Sequence, residues 1–137
     1  MRNRALAADH VRRADVRLRA IDALYEGESW ADVVRESQEA VELALKGLLR
    51  ACGIEPPRIH DVSEVLARES ERFPKDLQPD LDRLARISKQ LRRDRELAFY
   101  GTEDLTPSEF YSREDADAAR DGARLTVKLV KPFVPGA

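Results

Sequence analysis

The residues with the most chemistry to offer lie in one run, Leu91-Arg92-Arg93-Asp94-Arg95-Glu96-Leu97-Ala98-Phe99-Tyr100-Gly101. Its arginines are permanent cations whose planar forks suit phosphate or carboxylate groups. On a helix, Arg92 and Arg95 stand three residues apart, and Ser88 and Arg92 four apart, so they share one face. Arg92 and Glu96 are spaced to pair. Arg95 and Tyr100 are little more than one turn apart and reach the same region near the helix C-terminus. Two readings stay open. The run is either a solvated face with local ion pairs, each worth about 0.3–0.5 kcal/mol, or a polar site built around Arg95. In the second reading Arg92, Arg95 and Tyr100 are the ligand-binding candidates. Phe110 and Tyr111 then supply aromatic packing that holds the intervening segment beside the site.

Other chemistries find little support. His10 and His60 are far apart, and neither belongs to an H-x3-H or H-E-x-x-H arrangement. The Glu-x-x-His pairs of a carboxylate di-iron bundle are missing. The glycines read as isolated residues at helix ends, so no phosphate loop is expected, and no nucleophile elbow supports a serine triad. Neither a metal nor a cofactor is expected. Cys52 is alone, which excludes an intrachain disulfide and a thiolate cluster; it reads as a small buried side chain near a helix end. His60 reads as a residue fixing the start of the next helix, and Trp30 as core or interface packing.

These residues must be carried by a chain of 137 residues, 42% hydrophobic and 36% charged. That is one domain with enough apolar residues for a core. The net charge of −2 argues against a globally basic nucleic-acid binder but not against a local basic patch. No apolar run approaches the length of about 20 residues that spans a bilayer. The start, MRNRALAADH, lacks the apolar stretch of a signal peptide. A soluble, cytoplasmic protein without membrane contact is expected.

The dominant period is helical. Val11, Ala14, Leu18, Ile21 and Tyr25 mark one face of a first helix, stopped by Gly27. Ser29 and Asp32 resemble a capping box for a second helix, apolar around much of its circumference from Ala40 onward and ending at Gly53. Pro56-Pro57 forces an extended connection. Asp61 and Glu64 offer a capping pair for a short helix broken at Phe73-Pro74. Pro79 fits the first turn of a long fourth helix with the stripe Leu81, Leu84, Ile87, Ser88, Leu91 and Ala98, ended by Gly101. Thr102 to Tyr111 reads as a loop. Ser112 with Asp115 opens a last helix carrying Ala116, Ala119, Ala123, Val127 and Val130, closed by Pro132. No strand is assigned. The expected fold is all-α, an antiparallel up-down four-helix bundle with an additional short helix, forming a single domain over residues 1–137.

Several of these pieces resemble the HEPN family (higher eukaryote and prokaryote nucleotide-binding domain). Ser37-Gln38-Glu39-Ala40-Val41-Glu42-Leu43-Ala44-Leu45-Lys46-Gly47-Leu48-Leu49 looks like the family's second-helix signature. His60-Asp61-Val62 matches its His-Asp-aliphatic start to the next helix. Arg95-Glu96-Leu97-Ala98-Phe99-Tyr100-Gly101, followed by Phe110-Tyr111 and Asp115-Ala116, looks like the C-terminal portion of the small prokaryotic members. The resemblance implies a helical bundle, commonly a homodimer. Many members are metal-independent ribonucleases, and others partner a minimal nucleotidyltransferase in toxin–antitoxin pairs.

The ribonuclease members carry an arginine, a polar residue after it, and a histidine four to six residues downstream. Here the arginine position falls on Arg95, the polar residue on Glu96 and the histidine position on Tyr100. A tyrosine with an ordinary pKa of about 10 is a poor general base at neutral pH. The resemblance therefore implies a nucleotide- or phosphate-binding, or partner-binding, domain with absent or weakened catalysis. The alternatives are a ribonuclease toxin that uses Arg95 and a purely structural dimerisation domain. Nucleotide or RNA, and a minimal nucleotidyltransferase protein, are the partners implied.

Overall fold

The computed structural model describes residues 2–58, 61–99 and 106–137; the side chains of residue 2 and residues 95–99 lie outside the description. Among the described residues every regular element is helical. They are α1 (Arg2–Glu26), α2 (Trp30–Ala51), α3 (Val62–Arg68), α4 (Leu81–Phe99), α5 (Pro107–Phe110) and α6 (Arg113–Val130). Single 3₁₀ turns lie at Ser70–Arg72, Gln78–Asp80 and Lys131–Phe133.

The helix-period stripes become the core. Val11, Ala14 and Ile21 of α1 are buried, with Leu18 and Tyr25 half-buried beside them. Leu81, Leu84, Ser88 and Leu91 of α4 are buried, as are Ala116, Ala119, Ala123, Val127 and Val130 of α6. The second helix is the central one, with Val33, Val34, Ala40, Val41, Ala44, Leu45, Leu48 and Leu49 all buried. It packs chiefly on α1 and α6.

Contacts that descend along one helix as they ascend the other show how pairs are oriented. Arg17 meets Glu36 while Asn3 meets Arg50, so α1 and α2 are antiparallel. Glu28 meets Arg113, Asp22 meets Arg124 and Asp15 meets Lys131, so α1 and α6 are antiparallel too. Beyond α6 the chain continues in the same direction toward the start of α1, where the Arg12 guanidinium donates to the Gly136 carbonyl at 2.7 Å and Val134 is buried.

Helix ends follow local chemistry, with some departures from expectation. Asp61 caps α3 by accepting from the Ser63 amide at 3.0 Å. Ser112 and Asp115 form the expected reciprocal capping box of α6. Gly53 adopts φ +72° after α2, and the Gly53 and Ile54 amides donate back to the Arg50 and Leu49 carbonyls in a Schellman motif. Ser29 does not cap α2. Its hydroxyl donates to the Asp32 carboxylate at 2.6 Å and accepts from no amide of the first turn. The stop after α1 is likewise shifted: Glu28, not Gly27, takes the left-handed conformation with φ 58°. Pro79 lies in the 3₁₀ turn before α4 and not inside that helix. The segment expected to be wholly loop contains α5, a single turn capped by Thr106 and Glu109 with Pro107 in its first turn.

Two glycines depart from the expectation that all mark helix ends. Gly47 and Gly122 sit inside α2 and α6. A Cβ at Gly47 would meet Val11 Cγ2 at 2.7 Å and the Ala7 carbonyl oxygen at 2.9 Å. One at Gly122 would meet Ile87 Cγ2 at 2.9 Å. The missing methyl groups let α1 close on α2 and α4 close on α6.

Candidate functional site

The site begins with α4, whose apolar stripe is committed to the core and whose solvent-facing residues include several cations. Arg86, Lys89 and Arg93 recur at spacings of three and four and therefore line one side. They border an open cavity of about 830 Å³ that is also lined by Arg92, Asp94 and Gln90. Its apolar lining is Ile87 and Leu91 from α4 with Ala118, Ala119 and Gly122 from α6, and Asp61 completes it from the start of α3. Among the described residues the lining carries four cations and two carboxylates. Arg86 also pairs with the Asp82 carboxylate at 2.9 Å outside it, so the lining carries a modest excess of positive charge that favours anions.

Arg92 is the anticipated site residue whose side chain the structure describes. Its guanidinium lies 3.8 Å from the Asp61 carboxylate, which also caps α3. One carboxylate therefore fixes a helix start and orients a cation of the neighbouring helix. Arg95 and Glu96 lie in the last turns of α4, with side chains outside the described residues; Tyr100 lies outside them altogether, as does His60. The expected pairing of Arg92 with Glu96, and the convergence of Arg95 with Tyr100, fall outside the description for the same reason.

Tyr111 ties the segment before α6 to the α4 side of the cavity. It is buried, stacks edge-to-face on Phe110 with ring centroids 5.2 Å apart, and donates its hydroxyl to the Asp94 backbone carbonyl at 2.8 Å. The aromatic anchoring expected for this segment is therefore present on the α4 side. The Asp94 carboxylate accepts from the Gln90 amide at 2.9 Å. Burial raises its pKa, helped by the Asp115 charge, while the Gln90 hydrogen bond and Arg93 pull the other way.

Sequence reasoning missed Arg86 and Lys89 as site residues, although their spacing relative to Arg93 carries the signal. It also missed the partnership of Asp61 with Arg92, which joins distant parts of the chain and has no local signature.

The other singled-out residues have packing roles. Cys52 is half-buried at the end of α2, and burial raises its thiol pKa against a smaller opposing effect of Arg72. Trp30 meets Tyr25 edge-to-face at 5.1 Å, with the Arg113 guanidinium 5.2 Å from its ring centre. The Arg120 guanidinium lies 3.6 Å from the Tyr25 ring centre. Among the described residues no group of His, Cys, Asp and Glu side chains could hold a metal ion, and no helix is long and apolar enough to cross a membrane.

The sequence matches the family model for the HEPN domain over residues 7–132. No curated protein and no solved structure matches it.

Proposed function

Because the chain belongs to the HEPN domain family, we propose that it is a non-catalytic or catalytically weakened member that binds a nucleotide, another phosphate-bearing ligand or a partner protein. In this reading residues 1–137 form a single domain, an up-down antiparallel bundle of the four long helices, and the protein acts in the cytoplasm as a homodimer. It serves a toxin–antitoxin type module with a minimal nucleotidyltransferase. The observation that supports ligand binding is the cavity beside α4, where among the described residues Arg86, Lys89, Arg92 and Arg93 line the wall with Asp61 and Asp94, Arg86 being paired with Asp82 outside it. Arginine forks hold phosphate oxygens by paired charge-assisted hydrogen bonds, and binding of that kind needs no proton transfer.

Cleavage of RNA asks for more. Attack by a ribose 2′-hydroxyl requires one group to accept its proton and another to protonate the leaving oxygen, help worth about 10²–10⁴-fold. The sequence has tyrosine at position 100 and no histidine beyond His60. A tyrosine protonated at neutral pH donates a proton but accepts one poorly. Arg92, Arg95 and Tyr100 are accordingly assigned to ligand binding, with Glu96 beside them.

The test pairs binding with cleavage. Titration of a fluorescent single-stranded RNA and of a labelled adenosine nucleotide should give weaker binding in Arg92→Ala and Arg95→Ala than in wild type, with melting temperatures within a few degrees. Metal-free incubation with the same RNA at neutral pH should leave it intact. Robust wild-type cleavage that disappears in Arg95→Ala would overturn this reading and establish a ribonuclease. Cleavage gained only in Tyr100→His would show a ribonuclease scaffold lacking its proton acceptor.

A further inference from the structure

The carboxylates beside the cavity cations are not equivalent. Arg86 pairs with Asp82 outside the cavity, and the Asp82 side chain is 84% exposed, so water and salt screen that charge. Asp94 lines the cavity, where its carboxylate accepts from the Gln90 amide at 2.9 Å. Asp61 lines it too, 3.8 Å from the Arg92 guanidinium, with only 19% of its side chain exposed. Among the described residues, Asp61 is the one carboxylate that both lines the cavity and stands within ion-pair distance of a cation lining it.

Its two neighbours hold Asp61 unequally. The Ser63 amide donates to Oδ1 at 3.0 Å, a full hydrogen bond that starts α3. The Arg92 guanidinium faces the same oxygen at 3.8 Å, beyond hydrogen-bond reach. The carboxylate is therefore fixed by α3, whereas Arg92 is drawn to it by charge alone. A phosphate oxygen that takes the Arg92 fork leaves the cap of α3 intact.

Such a phosphate then lies beside a carboxylate that does not move away. The repulsion it meets grows in proportion to its own charge. A phosphodiester carries one negative charge. A terminal phosphate loses a second proton at about pH 6 and carries nearly two charges above neutrality. Asp61 thus opposes a terminal phosphate about twice as strongly as it opposes a diester. The modest cationic excess of the lining attracts both, and the fixed carboxylate discriminates between them.

We propose that Asp61 is a specificity determinant of this cavity, a resident carboxylate at Arg92 that tilts the site toward singly charged phosphodiesters and against doubly charged terminal phosphates. The inference rests on the ligand-binding reading above and narrows its ligand class to the internal linkage of a strand.

Two probes that share a nucleoside test it: adenosine 5′-monophosphate and the methyl phosphodiester of the same compound. Each is titrated into the full chain and followed by NMR, at low ionic strength and about pH 8, where the monoester is doubly charged. Wild type should bind the diester at least as tightly as the monoester. Asp61→Asn removes the charge and keeps a good N-cap. It should tighten the monoester by about three- to tenfold and the diester by only about two- to threefold. Asp61→Ser, a second neutral cap, should move both affinities the same way. In an Arg92→Ala background the phosphate loses its anchor beside Asp61, and Asp61→Asn should then change neither affinity by more than about twofold. Unchanged melting temperatures check the fold of each variant.

A wild type that prefers the monoester overturns the ligand class. Equal gains for the two probes, or no gain, overturn the role of Asp61 and leave ligand binding standing. Weaker binding in Asp61→Asn also overturns it, since Asp61 would then hold Arg92 in place for the ligand. A selectivity change that persists without Arg92 overturns the pairing on which the proposal stands. Absence of binding by every variant overturns the phosphate-binding reading itself.

Discussion

The Tyr111 hydroxyl donates to the backbone carbonyl of Asp94 at 2.8 Å, tying the segment before α6 to the helix that carries the cations. The bond is half-buried and reaches across the chain, so it restrains the wall of the cavity as well as stabilising the fold. Tyr111→Phe keeps the ring and removes one neutral hydrogen bond, a cost of about 1 kcal/mol. A urea midpoint lowered accordingly is the expected result. A change as large as that of Tyr111→Ala would mean that the hydroxyl carries the packing, contrary to the geometry.

Gly47→Ala and Gly122→Ala should behave differently although both are glycines inside helices. Replacing a mid-helix glycine with alanine gains about 1 kcal/mol of helix propensity. At Gly122 the new methyl meets a single side-chain methyl, Ile87 Cγ2 at 2.9 Å, on a β-branched residue that is stiff about χ1. Relief there comes from a shift of a few tenths of an ångström between α4 and α6. Gain and strain then offset to within about 1 kcal/mol. At Gly47 the methyl meets Val11 and also the Ala7 carbonyl oxygen, which moves only with α1 itself. A net loss of about 1–3 kcal/mol is expected there. Thermal melts of the two variants decide it, and equal stabilities would refute the close α1–α2 approach.

Glu28 sits at φ 58°, a conformation that costs a non-glycine residue about 1–2 kcal/mol. Its carboxylate meets Arg113 at 3.0 Å, but both side chains are well exposed, so the pair returns at most about 1 kcal/mol. Glu28→Gly should therefore be neutral to stabilising by up to about 1 kcal/mol, after the extra chain entropy of glycine in the unfolded state is subtracted. A drop in melting temperature would show that the Arg113 pair, which also holds Arg113 near Trp30, is the stronger term.

Asp94 supplies a pH dependence with a definite sign. Its pKa is raised in the folded protein, chiefly by burial. The native state consequently binds the proton more tightly than the unfolded chain does. The contribution is favourable below the ordinary aspartate range and is lost as pH climbs through the raised value. Asp94→Asn should raise the melting temperature modestly at neutral pH, and the difference should vanish in acid below the ordinary aspartate range. The same substitution removes a negative charge from the cation-lined cavity, so binding of a phosphate-bearing probe should tighten at neutral pH. Weaker binding would indicate that Asp94 contacts the ligand.

Much of this was legible in the sequence because a helix repeats its core contacts every three to four residues. The stripes of α1, α4 and α6 follow directly from that repeat. Short-range chemistry was less decisive. Ser29-x-x-Asp32 and Ser112-x-x-Asp115 have the same spacing, and in both the serine hydroxyl donates to the carboxylate. Only Ser112 also accepts from the amide of its aspartate, while Asp115 accepts from the Ser112 amide, a difference of local geometry that spacing does not record. The cue for α5 was present in Thr106, Pro107 and Glu109, but a single turn leaves no periodic stripe. Gly47 and Gly122 could not be read as close-contact positions, since what excludes a methyl group there belongs to another helix. The same holds for the site: the α4 cations are visible as a spacing, whereas the Asp61 carboxylate beside Arg92 arrives only through the packing of α3 on α4.

The flank of α1 has a consequence for the order in which the molecule is built. Its partners there come late in the chain: Arg113 lies 85 residues after Glu28, Arg124 lies 102 after Asp22, Lys131 lies 116 after Asp15, and Gly136 lies 124 after Arg12. The α1–α2 hairpin can form as soon as both helices have left the ribosome. The groove that receives α6 must wait until nearly all of these residues have been translated. During that interval the part of the buried face of α2 that packs on α6 lacks its final cover. A nascent chain stalled before α6 should therefore present an apolar surface to chaperones, and release of the remaining residues should withdraw it.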